Sequence, residues 1–279
     1  MTTPRAYASW ARTEWRRVRR VAALRKSTGL PGFDVAECRA RKGSDTLFVL
    51  GSGASVGRLT GADFDVIAAA DSIGLNFWLL HDFVPDFYQF EVAHEPHRRE
   101  MFNATLSRKA ADYAQVLFLY KDIETHQQDL SAIPDEVVAN LRVINKVHLP
   151  LREAAMMRAV LTWWQRLSLM QRTGLPLFGR ASLSLAVSFG ILMGYARIVL
   201  VGVDLNDYRY FWDDDPRHAG FYADRPAGLH SSVTTDDGMV PIDELLIAMN
   251  EIMLRPRGMQ LFAGHATSAL HPRLPAWFG

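Results

Sequence analysis

The 279-residue sequence predicts an α/β fold, a parallel sheet covered by helices on both faces, with a lid inserted late in the chain. Three observations predict it. Short apolar runs without strict alternation recur from residue 45 onward, as strands buried on both faces do. Helical stretches separate these runs. Polar or glycine-rich clusters at 51–55, 72–76 and 202–206 follow three of them, where strands of such a sheet deliver ligand-binding groups. At 49% hydrophobic and 22% charged residues, the chain can fill a full core and is too apolar to be disordered. The length suits one large domain with a small insertion.

Residues 1–44 read as a basic helical segment, and 45–279 as the domain proper. The first 44 residues hold eleven Lys/Arg and three Asp/Glu, a net +8, which leaves −7 for the remainder of a chain whose total is +1. A uniformly basic nucleic-acid binder does not divide its charge this way, so no nucleic-acid partner is expected. Over residues 4–26, Tyr7, Trp10, Glu14, Val18 and Val21 share one helical face, and Trp15, Ala22 and Leu24 broaden its apolar side. Arg16, Arg17, Arg19, Arg20 and Arg25 supply the polar face. A basic helix with interfacial tryptophans can lie on anionic lipid. The same pattern serves a helix docked on its own domain or a contact in a homo-oligomer. Thr28-Gly29-Leu30-Pro31-Gly32 ends the helix.

Residues 46–50 form the first buried strand and run into Gly51-Ser52-Gly53-Ala54-Ser55-Val56. Residues 64–70 are expected to be the second strand. A short helix near Phe77 follows, then strands at 86–90, 115–120 and 142–144. Residues 151–172 read as helical, and 182–193 as an apolar helix closed by Gly194. The run 197–201 is a late strand ending in Gly202-Val203-Asp204. A helix over 242–254 and a strand over 259–262 complete the series. Residues 206–238 are long, aromatic, acidic and turn-rich without a period, and read as a lid over the strand ends.

Gly51-x-Gly53 after a strand lets a phosphate or ribose approach the backbone, and reads equally as a tight turn. The third glycine of the dinucleotide fingerprint is replaced by Val56, yet Asp71 stands near the usual place of a ribose-binding acid, so a nicotinamide enzyme stays open. Asp204 can hold a ribose hydroxyl or cap the next segment. His230, at the end of the lid, suits proton transfer near neutral pH. His94, His97, His265 and His271 do not assemble a metal site by spacing, and Asp213-Asp214-Asp215 reads as a solvated lid turn with some capacity for magnesium. The lone Cys38 excludes an intrachain disulfide and a cysteine zinc site. No Gly-x-Ser-x-Gly elbow is present, which disfavours a nucleophilic hydrolase. No apolar run reaches the roughly 18 residues of a membrane span. The N-terminus lacks the apolar core of a signal peptide, so a cytoplasmic location is expected, including the inner face of the membrane.

From about residue 46 to 275, five short motifs follow one another in an informative order. They are the loop from Gly51 to Val56, Gly74-Leu75-Asn76-Phe77, Arg180-Ala181-Ser182-Leu183-Ser184 opening a helix that ends in Gly194-Tyr195, Gly202-Val203-Asp204-Leu205-Asn206, and Leu229-His230-Ser231. In this order the chain resembles the bacterial sialyltransferases of glycosyltransferase family 42. More distantly it is similar to a domain grouped with the archaeal hydroxymethylpterin pyrophosphokinases. The resemblance implies a Rossmann-like, GT-A-like sheet. It implies inverting, metal-independent transfer of a nonulosonic acid from a CMP-activated donor to a glycan or glycolipid, in lipopolysaccharide or capsule biosynthesis. CMP-sugar is then a substrate and no cofactor is expected.

The resemblance also assigns residues. His230 becomes the general base, and Tyr208 and Tyr210 the lid tyrosines on the departing phosphate. Gly51, Ser52, Gly53, Ser55, Asn76, Arg180, Ser182, Gly202 and Asp204 become the donor site. Ser52 and Asn206 replace an asparagine and a tyrosine of the family, which leaves sialic acid, Kdo, pseudaminic acid and legionaminic acid open as donors. Two other functions remain: a magnesium-dependent pyrophosphokinase using the lid acids, and a non-catalytic nucleotide-sugar-binding module in surface-polysaccharide assembly.

Overall fold

Strands of three to six residues cannot satisfy their backbone alone, and among the described residues eight of them pair in one parallel sheet. The computed structural model describes residues 3–91, 95–121, 123, 130–218 and 231–279. The strands in chain order are β1 (Thr46–Leu50), β2 (Asp71–Leu75), β3 (Phe87–Phe90), β4 (Leu117–Tyr120), β5 (Leu141–Val143), β6 (Val147–His148), β7 (Leu177–Phe178), β8 (Arg197–Val201), β9 (Gln260–His265) and β10 (Ala276–Phe278). Their spatial order is β10-β9-β8-β1-β2-β3-β4-β5, with β6 and β7 forming a separate parallel pair. Leu47 of β1 stands opposite Asp71 of β2 and Ile198 of β8. The chain winds outward from β1 to β5, then returns to β1's other side and winds outward through β8, β9 and β10. The reversal falls between β1 and β8, where sheets of this kind open a crevice at their carboxyl edge.

The helices are α1 (Pro4–Thr28), α2 (Val35–Ala40), α3 (Gly61–Ala68), α4 (Pro96–Arg108), α5 (Ala110–Tyr113), α6 (Asp135–Ala139), α7 (Ala154–Arg166), α8 (Leu169–Thr173), α9 (Ser182–Met193) and α10 (Ile242–Met249). Alternate residues of β1 feed two cores. Leu47 and Val49 pack with α7, α9 and α10 on one face. Phe48 and Leu50 pack with Ile67 of α3, Leu106 of α4 and Val137 of α6 on the other. Every residue of α9 from Leu183 to Met193 is buried, which explains its lack of a polar face. Cys38 lies in the first core, where burial pushes its thiol up to about 12, so it is an inert apolar group.

The expected strand over 64–70 is instead mostly α3. Thr60 and Asp63 form a reciprocal capping box at its start, and the alanine-rich end favours helix. The true strand, β2, begins at Asp71 and carries polar residues that are buried because they are satisfied. Ser72 donates N–H and Oγ–H to Asp86 Oδ2 at 2.8 and 2.9 Å. Asp71 accepts from Gly43 N at 3.0 Å, Ser44 N at 3.3 Å and the Tyr195 hydroxyl at 2.7 Å. Of the polar side chains in the cluster 72–76, Ser72 is held near the start of β2 and Asn76 follows its carboxyl end. Asp71 sits at the opposite edge from the glycine loop, so the nicotinamide reading loses its ribose acid. Asp71→Ala would orphan these buried donors and is expected to cost roughly 3 kcal/mol. Urea denaturation measures it; a cost near zero would show that the neighbourhood relaxes around the gap.

The basic segment packs on the domain. The Trp10 indole donates to His148 O at 2.8 Å, and Glu14 accepts from His148 N at 2.8 Å. Burial pushes the Glu14 carboxyl up, but hydrogen bonds and charge from His148 outweigh it and hold it below its ordinary range. Asn145 donates to Val18 O at 2.9 Å. Arg39 of α2 reaches Leu192 O at 3.0 Å. Among the described residues, no helix is long and apolar enough to cross a membrane.

Candidate active site

The loop after β1 and the turn after β8 meet at the winding reversal. Gly51 N donates to Val201 O and Gly53 N to Gly202 O, both at 2.8 Å. A Cβ on Gly51 would stand 2.7 Å from Gly202 O, and one on Gly53 2.5 Å from Asp204 Oδ2. One on Gly202, whose φ is 63°, would stand 2.6 Å from Gly51 O. The three glycines are thus required by the approach of two backbones, whatever a ligand asks of them.

Asp204 is buried, and its two carboxylate oxygens are treated differently. Oδ2 accepts from Ser55 N at 2.9 Å and so caps the short 3₁₀ turn Ala54–Arg58. Oδ1 is buried with no partner among the described residues, and so is the Ser52 hydroxyl. A cleft of about 190 Å³ opens here, lined by Ser55, Arg58, Asp204, Asn206, Asp207 and Thr267. An unmatched buried carboxylate oxygen costs a few kcal/mol, roughly, and a ligand hydroxyl donated to it removes that cost.

The first part of the expected lid is fastened to this loop. Ala54 N donates to Arg209 O and Phe211 N to Ser52 O, both at 3.1 Å, and Tyr210 bridges Gly53. The Tyr210 ring stacks on buried Trp212 with centroids 4.5 Å apart. Phe211 meets Trp78 and His81 edge-on at 5.6 and 5.4 Å. Burial in that aromatic nest lowers the His81 pKa to about 4, which makes it a neutral ring near pH 7 and a poor proton carrier. Tyr208 is 44% exposed. Asp213 Oδ2 accepts from Tyr210 N at 2.8 Å, and Asp215 pairs with Arg217 at 2.8 Å, so two acids of the triplet hold the turn itself. His230 lies outside the described residues, with 219–229, as does His94.

Asn76 follows β2 with φ 51°, its carbonyl accepting from the Tyr88 hydroxyl. Its carboxamide is exposed and has no partner among the described residues. Because α9 runs back across the sheet to feed β8, its N-terminus also faces the carboxyl edge. Ser182 opens it, and Ser182 Oγ accepts from Lys121 Nζ just past β4. Lys121 pairs with Glu91 and lies beneath the surface, as does Lys146, which donates to Lys121 O. Both ammonium groups sit over the Phe178 ring, at 5.8 and 5.2 Å. Buried Gln89 of β3 has neither amide atom partnered among the described residues. Sequence reasoning missed Lys121, Lys146 and Gln89. The available signal was a polar residue inside the apolar run 87–90 and a lysine directly after 117–120. Arg180 is bound to Asp237 at 2.8 Å and Met239 O at 3.2 Å, and ties the end of the lid region to α9.

The structure therefore gathers Gly51, Ser52, Gly53, Ser55, Gly202, Asp204 and Tyr210 at the winding reversal. It sets Asn76 at the neighbouring strand end and Arg180 and Ser182 at the start of α9. Tyr208 is not among the residues that line the cleft, although its neighbour Asp207 is.

No family model matches the chain, and no curated protein matches it. Among solved structures it is similar to the monofunctional alpha-2,3-sialyltransferase Cst-I from Campylobacter jejuni, at 14% identity over 84% of this chain and 80% of that one, with a TM-score of 0.45. It is similar to the sialyltransferase CST-II in complex with a trisaccharide acceptor and CMP, at 12% identity over 83% and 85% and a TM-score of 0.43. It is also similar to CstII from Campylobacter jejuni in complex with cytidine-5'-monophosphate, at 11% identity over 83% and 84% and a TM-score of 0.40.

Proposed function

We propose that this chain is a glycosyltransferase that moves a nonulosonic acid, sialic acid or a relative, from a CMP-activated donor to a glycan or glycolipid, with inversion and without a metal. The observation that carries this reading is Asp204, whose Oδ1 is buried without a partner among the described residues where two glycine turns meet at the sheet's winding reversal. A ribose hydroxyl donated to that oxygen satisfies it, as acids at such positions do for nucleotides. Ser52, Ser55 and Asn76 would add hydrogen bonds to the donor, and Ser182 and Arg180 would position it from the α9 side.

The reaction is one displacement. The acceptor hydroxyl oxygen bonds to the anomeric carbon as the bond from that carbon to the phosphate oxygen breaks. The hydroxyl proton passes to His230, and the electron pair leaves on CMP. Tyr208, Tyr210 and backbone N–H groups would donate to the departing phosphate, where fixed donors are most effective. Closing the lid region would keep water from the activated donor.

Thermal denaturation with CMP, with CMP plus EDTA, and with ATP plus magnesium tests the reading. A ligand that binds only the native state raises Tm by mass action. CMP is expected to raise Tm with or without EDTA. Asp204→Asn keeps the acceptor for Ser55 N but replaces the ribose acceptor by a donor, and is expected to weaken CMP binding about 10- to 100-fold with the fold intact. Stabilisation by ATP with magnesium alone would overturn the transferase in favour of a pyrophosphokinase.

A further inference from the structure

We propose that the solvent face of α1 is a docking surface for an anionic membrane. The apolar side of α1 is committed to the domain through Tyr7, Trp10, Val18 and Val21. What remains outside is a strip of cations. Arg5, Arg12, Arg19 and Lys26 recur every seven residues, so they run along one line of the helix for roughly 30 Å at 1.5 Å per residue. Arg16 lies beside them. All five are exposed, and none has an acidic partner among the described residues. Glu14, the one acid of this helix, is buried on the opposite side against His148.

A row of cations without acidic partners among the described residues is the complement of a layer of phosphate headgroups, and each contributes separately to surface binding. Trp15 stands next to the row and is 62% exposed, the placement that lets an indole sit at headgroup level. Exposed Ala8, Ala22 and Ala23 fill the spaces between the cations. Ser9 and Ser27 are exposed along the same side, so it is the exposed indole beside the cations that favours a lipid interface over a nucleic acid. The net −7 on the rest of the chain would turn α1 toward the negative surface. This inference is independent of the reaction proposed above. A surface-bound enzyme would be held near glycolipid acceptors.

The full chain should sediment with vesicles of phosphatidylcholine containing about one-third phosphatidylglycerol, fail to bind pure phosphatidylcholine, and detach as salt rises. Arg12→Glu/Arg16→Glu/Arg19→Glu is expected to cut vesicle partition roughly 100-fold or more. Arg99→Glu/Arg152→Glu/Arg255→Glu makes the same change of charge at other exposed positions and should leave partition within about threefold, since surface attraction is local. If the first triple variant does not fold, Arg12→Gln/Arg19→Gln provides a milder test, with a loss of about 10-fold. Equal losses in both triples would overturn the proposal, because net charge and not this face would then govern binding. So would a wild-type chain that ignores anionic vesicles, or one that binds a DNA duplex at physiological salt in their place.

Discussion

Replacing His230 by alanine is expected to lower turnover with a CMP-activated donor by about 100-fold or more, while CMP affinity stays within about twofold of wild type. The acceptor hydroxyl is a weak nucleophile until its proton is taken, so loss of a positioned base falls on the chemical step and not on binding. Among the described histidines, His81 cannot substitute, since burial keeps it neutral down to about pH 4 and its ring is enclosed by Trp78, Phe64 and Phe211. Steady-state kinetics with calorimetric CMP binding separates the two quantities. Turnover within a fewfold of wild type would remove His230 from the base role. Parallel loss of turnover and CMP affinity would make it a binding or lid-ordering residue.

Gly202→Ala is expected to have the largest effect on the fold, roughly 3 kcal/mol or more, and to abolish nucleotide binding with it. Two penalties coincide there. The backbone lies at φ 63°, and the new methyl would press on Gly51 O and Val56 Cγ2, each 2.6 Å away. The two turns would have to part, and Asp204 and Ser55 move with them. Gly194→Ala is the internal control. It sits at φ 77° with open space around its Cβ position, so it bears only the backbone cost of about 1 kcal/mol. Urea denaturation of both variants distinguishes steric contact from backbone strain. Equal losses would mean that the contact between the turns is soft.

Much of the sheet was legible because burial on both faces writes itself as uninterrupted apolar sequence. The runs 46–50, 117–120 and 197–201 announce β1, β4 and β8 in this way. The error at 64–70 has the same origin. A short apolar run is equally good helix or strand, and only the capping box at Thr60 and Asp63 tips it toward helix. β2 was hidden for the converse reason. Asp71 and Ser72 look solvent-facing in sequence, yet the tertiary structure supplies Tyr195, Gly43 and Asp86 as their partners. The site followed the same division. The glycines and Asp204 were visible because they follow strands at short range. Lys121, Lys146 and Gln89 were not, since a buried polar residue is recognisable only once its neighbours are known.

By itself, then, the sequence determined what depends on near neighbours along the chain: strand runs, glycine turns, the helix over residues 4–26 and the concentration of positive charge upon it. Tertiary structure decided what depends on distant partners. It set β1 beside β8, so that two ordinary turns became one cleft. It left one oxygen of Asp204 without a mate among the described residues, and it chose which side of α1 meets the domain and which meets solvent. The physical reason is range. Propensity and periodicity act over a few residues, whereas burial and hydrogen-bond satisfaction are properties of residues that meet only after folding, 149 positions apart in the case of Ser55 and Asp204.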